Sequence, residues 1–116
     1  KPSQEVFWHL SKSLKYHEQR IANYSLLIEL TKEKTQVFRA ISPHTSPYCF
    51  SIIHPNPTLF RNLFNRENEH IFECVSWYGL PIVSFPCHQL IPRSKIINLA
   101  ELINKKAKKY TDENMD

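Results

Sequence analysis

Residues 4 to 33, QEVFWHLSKSLKYHEQRIANYSLLIELTKE, contain neither Gly nor Pro, and Phe7, Leu10, Leu14, Ile21, Tyr24 and Ile28 recur through them at spacings of three, four or seven. Such spacing places side chains on one stripe of an α-helix, so the stretch predicts a single long helix with a buried apolar seam. Ser3 is placed to cap it and Glu5 lies in its first turn, where a carboxylate suits the positive end of the helix dipole. His17 falls inside the seam, as a residue packed in or bordering it, and Leu27 and Leu30 widen the apolar face near the end.

The pattern then changes period. TQVFRAI at 35 to 41 and YCFSII at 48 to 53 are rich in β-branched and aromatic residues and read as strands. SPHTSP, with Pro43 and Pro47, separates them as a long connection rather than a two-residue turn. In HPNPTLFRNLFNREN, 54 to 68, Asn56 suits an N-cap and Pro57 the first helical position, where a missing N–H costs little; Leu59, Phe60, Leu63 and Phe64 form one apolar side. HIFECVSW at 70 to 77 and LPIVSF at 80 to 85 read as one broken strand or two short ones, interrupted at Gly79, the chain's only glycine. RSKIINLAELINKKAKKYTDE, 93 to 113, carries Ile96, Leu99, Ala100 and Ile103 on one helical face, with Pro92 setting its start. The element order predicts an α+β sandwich of the α/β type: a small sheet covered by a long N-terminal helix, a middle helix and a C-terminal helix.

Composition narrows this picture. The 116 residues suffice for one core and are too few for two ordinary domains, and 41% hydrophobic against 22% charged residues is the balance of a folded chain. Residues 1–116 are therefore read as a single small domain. The Lys1 start is what a fragment or a processed product would show. Cys49, Cys74 and Cys87 are an odd number without tight pair spacing, which suits reduced thiols and a cytoplasmic setting. No stretch approaches the ~18 consecutive apolar residues of a membrane span. A net charge of +4 permits attraction to nucleic acid without demanding it.

Several groupings invite chemistry. Cys87-His88 lies between Pro86 and Pro92 in VSFPCHQLIPRS, and neighbours in an extended segment point to opposite faces, so a structural corner is the expected role. A thiol enzyme using Cys87 is the alternative, and it requires exposure and a depressed thiol pKa. His70 and Cys74 have a zinc-like spacing, but Cys87-His88 is a poor second pair for a closed site. Phosphate-cradling glycine loops, dinucleotide fingerprints, zinc-protease pairs and nucleophile elbows are all missing from the sequence. KKAKK, 105 to 109, is the one compact basic run; Lys105, Lys106, Lys108 and Lys109 are its candidates for nucleic-acid contact, with Trp8, Trp77, Tyr78 and Tyr110 as candidate stacking partners. Its competing reading is a solvated helix end, favoured by the dipole.

RIANYSLLIEL (20 to 30), SPYCFSIIHPN (46 to 56), LFRNLF (59 to 64), SWYGLP (76 to 81), FPCHQLIP (85 to 92) and IINLAELI (96 to 103) together resemble the C-terminal part of the sugar aminotransferases that use pyridoxal phosphate. Arg20, Asn23-Tyr24, Pro47-Tyr48, Phe85-Pro86 and His88-Gln89 carry the likeness. The resemblance implies a small domain entered through a long helix and a larger partner domain holding the Schiff-base lysine, the phosphate site and the acid under the pyridine nitrogen. None of those motifs occurs here, so the cofactor would come only with such a partner, and this chain alone would not transaminate. The expected role is thus an accessory or interaction domain that packs against another domain or subunit. The alternatives are a basic nucleic-acid-binding module and the small thiol enzyme.

Overall fold

The computed structural model describes the backbone of residues 2–38 and 49–114, and the side chains of 14–38 and 49–110. The elements follow the order α1 (Pro2–Thr31), β1 (Gln36–Val37), β2 (Cys49–Ile53), α2 (Pro57–Glu67), β3 (Val75–Ser76), β4 (Ile82–Pro86) and α3 (Arg93–Asn114). The strands form one antiparallel sheet in the order β1-β2-β4-β3, flanked by the three helices, which is the α+β arrangement expected. The connection through Pro43 and Pro47 and the neighbouring Pro47-Tyr48 pair lie outside the described residues.

Register decides what the sheet buries. Phe50 opposes Phe85 and Ile52 opposes Val83, so these four side chains share one face; Ser51 opposes Ser84 and Ile53 opposes Ile82 on the other. The first face meets the helices. Tyr24 of α1 lies edge-on to Phe50 at 6.0 Å between centroids, and Phe60 and Phe64 of α2 meet Phe85 at 5.8 and 5.2 Å. Tyr110 of α3 closes the cluster on Phe60 at 5.1 Å. Leu27, Ile96, Leu99 and Ile103 complete a continuous core.

The middle helix begins as its sequence predicts: Asn56 Oδ1 accepts from the Leu59 N–H at 3.2 Å and Pro57 occupies the first turn. Its end corrects one expectation. The strand expected over 70 to 77 shrinks to Val75–Ser76, because Glu69 and His70 adopt φ of 57° and 61°, which takes the chain out of the extended region. Such conformations cost ~1–2 kcal/mol each in non-glycine residues. They are held by Asn68, which accepts the Phe72 N–H at 2.9 Å and donates to the Phe72 carbonyl at 3.1 Å. The interruption at Gly79 is a turn: its φ is +75°, and the Leu80 N–H closes on the Trp77 carbonyl at 3.1 Å. Added side-chain bulk would meet nothing there, so the glycine serves the backbone angle alone.

The long helix requires a second correction. Leu14, expected in the buried seam, is 55% exposed, Ile21 is half-buried, and Leu27 is the fully buried position. Asn23 bonds the segment just ahead of α3, while Asn104 reaches the Leu30 carbonyl seven residues further along α1. The two helices therefore run parallel, and α3 starts beside the third quarter of α1. Leu14 lies before that point and has no α3 side chain to pack against. At Leu14 the seam has run past the helix that covers it, and the side chains of Phe7 and Leu10 lie outside the described residues.

Candidate interaction surface

The corner at Cys87-His88 is built by α1. Asn23 Nδ2 donates to the carbonyls of His88 and Ile91 at 2.9 and 3.1 Å, and Arg20 Nε donates to Gln89 Oε1 at 2.7 Å. The Ile91 N–H closes a turn on the His88 carbonyl at 3.2 Å, and His88 Nδ1 accepts the Leu90 N–H at 3.3 Å. Cys87 is fully buried, and that burial pushes its thiol up to about 12. A thiolate nucleophile needs the reverse shift and access. The residues that carried the family resemblance, Arg20, Asn23 and Tyr24, thus position the approach to the last helix and wedge α1 against Phe50.

His70 and Cys74 do not converge. His70 is exposed and its Nδ1 lies 2.9 Å from Glu73 Oε1, whereas Cys74 is buried with its thiol pushed up to about 12 by desolvation. No group of three His, Cys, Asp or Glu side chains placed to hold a metal occurs among the described residues. His17 is half-buried on α1. His54 is buried, accepts the Asn56 N–H on Nδ1 at 3.1 Å and has a further backbone bond at Ala107; burial holds its pKa below the usual value.

Helical geometry divides the basic run. Lys106 and Lys109 lie one turn apart and both reach Glu67 Oε1, at 3.2 and 3.0 Å, while the Tyr110 hydroxyl donates to Glu67 Oε2. The Tyr110 hydroxyl first, then Lys109 and Lys106, hold the Glu67 carboxyl down at about 2 against the opposing effect of burial. This clamp ties the end of α2 to α3. Tyr110, a candidate stacking ring, is buried. Lys105 and Lys108 fall on another side of α3, together with Lys34 from beyond α1. Four adjacent lysines in sequence are two pairs with different surroundings.

Apolar exposure is concentrated elsewhere. Of nine large hydrophobic side chains exposed among the described residues, Ile71, Val75, Trp77, Tyr78 and Leu80 come from one ten-residue stretch, on or beside the edge strand β3. Trp77 is fixed there: its indole Nε1 donates to Ser84 Oγ at 2.8 Å, and Ser84 Oγ lies 2.7 Å from Ser51 Oγ. Half of the indole surface nevertheless remains open, and Tyr78 is fully exposed. Arg61 donates to Ser76 Oγ at 3.0 Å, bringing a cation to the groove that Trp77 and Tyr78 line with Pro55, Pro57 and Pro81. Asn65 covers the backbone of the same edge, taking the Cys74 N–H at 2.8 Å and donating to the Cys74 carbonyl at 3.0 Å. At that point strand addition is blocked, and recognition falls to side chains.

Sequence reading singled out Trp77 and Tyr78 but not Ile71, Val75, Leu80 or Arg61. The available signal was parity. FECVSWYGL has apolar residues at odd and even positions, more than one buried sheet face absorbs. No protein-family model matches the chain, and no curated protein or solved structure matches it.

Proposed function

We propose that this chain is an accessory domain, without catalysis of its own, that docks another protein domain or subunit through the apolar edge at residues 71 to 80. The observation that carries the reading is the clustering of exposed apolar side chains there, with Trp77 held in place by Ser84. An aromatic ring fixed before binding loses little freedom on binding, and such anchors dominate interface energies. Arg61 supplies a polar group beside the anchor, in the mixture of aromatic and Arg that interfaces favour.

The resemblance to sugar aminotransferases fits this role as one domain of an assembly. The described residues do not fit pyridoxal phosphate. Lys106 and Lys109 are committed to Glu67, the other described lysines are exposed, and one glycine cannot build a phosphate loop. The partner would carry that chemistry. A reducing, cytoplasmic setting accords with the three free thiols, and among the described residues no helix is long and apolar enough to cross a membrane.

The test is site-specific photocrosslinking in cells that express the chain. A benzophenone side chain at Tyr78 should give one discrete protein adduct, lost when Val75→Asp is added, while the same group at Lys95 on α3 gives none. Equal labelling at both positions, or none at Tyr78, rejects the proposed edge.

A further inference from the structure

A second feature lies on the other side of Pro55, where β2 ends. Gln36, Ile53 and His54 from the end of the sheet and Ala107 from α3 line an open cavity of about 470 Å³. Lys34 and Lys108 also line it, one contributed from beyond α1 and one from α3. Pockets of this size, apolar with a few placed polar groups, are the usual form of small-ligand sites.

The charge at this cavity is one-sided. Among the described residues no acidic side chain lines it, and neither Lys34 nor Lys108 has a carboxylate partner. Lys105 lines the adjoining cleft with the same two lysines; Glu101 lines that cleft and not the cavity. The contrast with Lys106 and Lys109 is informative, because a single carboxylate, Glu67, satisfies those two. The interior has the opposite character. Ile53 and Pro55 supply apolar surface, and His54 has both a bond from the Asn56 N–H and a backbone bond at Ala107, so it forms a wall rather than a reacting group.

We infer that this cavity binds a small organic anion, with a carboxylate or phosphate head between Lys34 and Lys108 and an apolar body against Ile53 and Pro55. Two ammonium groups lining one opening repel each other, and an anion placed between them relieves that repulsion through charge-assisted hydrogen bonds. The apolar body separates this ligand from a free inorganic ion, which would have no use for the isoleucine and proline surface.

The experiment follows backbone amide shifts by NMR while the intact chain is titrated with benzoate, phenyl phosphate, inorganic phosphate and the neutral benzyl alcohol. Benzoate or phenyl phosphate should move Gln36, Ile53, His54 and Lys108 along one saturable curve, and the tighter of the two identifies the head group. Kd should rise by about tenfold or more in K34Q/K108Q, since each charge-assisted contact is removed. Both lysines are exposed, so the variant retains its fold, and unchanged shifts in α2 verify this. Inorganic phosphate and benzyl alcohol should each bind at least about tenfold more weakly, lacking the apolar body or the charge. The inference is overturned if neither anion saturates, if shifts spread equally to Lys15, Lys32 and Lys95, if the double variant binds unchanged, or if either control matches the best anion. The crosslinking at Tyr78 does not depend on these lysines, so the two proposals fail separately.

Discussion

The two faces of the sheet are made by the same two central strands, yet alternate residues give them different uses. On one, Phe50, Ile52, Val83 and Phe85 are at most 1% exposed and join rings and aliphatic chains from all three helices. On the other, Ser51 and Ser84 share a hydrogen bond, Trp77 donates to Ser84, and Val75 stands in solvent. Stability is concentrated on the helix side. The opposite side keeps polar groups that fix one aromatic ring and leaves apolar surface unused by the fold, which is the division expected of a domain that binds through its sheet edge.

This contrast is broken first at Phe85. Its ring touches Phe50, Phe60 and Phe64, so Phe85→Ala removes contacts to β2 and α2 together. The expected loss is ~3–5 kcal/mol, the range for emptying a buried aromatic position. For a domain of this size that is a large share of the margin of stability, about 5–15 kcal/mol. Urea unfolding should show a midpoint displaced strongly toward zero denaturant, and a midpoint close to the parent would mean that the helix side is not the centre of the core.

The Glu67 clamp comes next, and it acts through pH. Its folded carboxyl is held at about 2, below the ordinary 4.5, by the Tyr110 hydroxyl first and then by Lys109 and Lys106. A depressed carboxyl contributes its stability above the unfolded pKa, and that contribution fades as pH falls through the window between the two values. Parent stability should therefore decline between about pH 4.5 and 2 more steeply than that of Glu67→Gln. Identical slopes in thermal melts across that window would remove Glu67 from the docking of α3 on α2.

How far these features were legible follows the range of each physical cause. Asn56-Pro57 announces α2 because capping is local, and the three helices and the strands β2 and β4 lie where sequence reading expected them. The short β3 was misread because the cause sits outside the strand: Asn68 holds Phe72 while Glu69 and His70 turn left-handed. The basic run was legible as charge but not as two pairs. Only a carboxylate 39 residues from Lys106 in sequence distinguishes its halves. The corner at Cys87-His88 was read as structural from its flanking prolines; Asn23, which bonds the His88 carbonyl from 65 residues away, had no local signature.

A smaller perturbation reaches the open face. Trp77→Phe keeps an aromatic ring and removes the N–H that meets Ser84, which still has Ser51 within bonding distance. The expected cost is ~0.5–1.5 kcal/mol, the net value of one hydrogen bond. Crosslinking from Tyr78 should weaken further than that stability change implies, since the ring loses its fixed orientation. A variant equal to the parent in both assays would show that the serine pair does not position the tryptophan.

The smallest effect should come from Leu14, where sequence periodicity alone predicts a large one. Its side chain is 55% exposed, and α3 begins too far along α1 to cover it, whereas Leu27, on the same helix, is fully buried in the core. Leu27→Ala should cost ~2–5 kcal/mol as a cavity-forming change. Leu14→Ala should stay within ~0.5 kcal/mol, because alanine also has the higher helix propensity and little apolar burial is lost. The pair shares one substitution and one helix, so the difference isolates coverage by α3. Chemical unfolding of both variants measures it directly. A Leu14→Ala loss as large as that of Leu27→Ala would mean that another surface covers the first half of α1 in solution; near-identity with the parent places the end of the folded core between these two leucines.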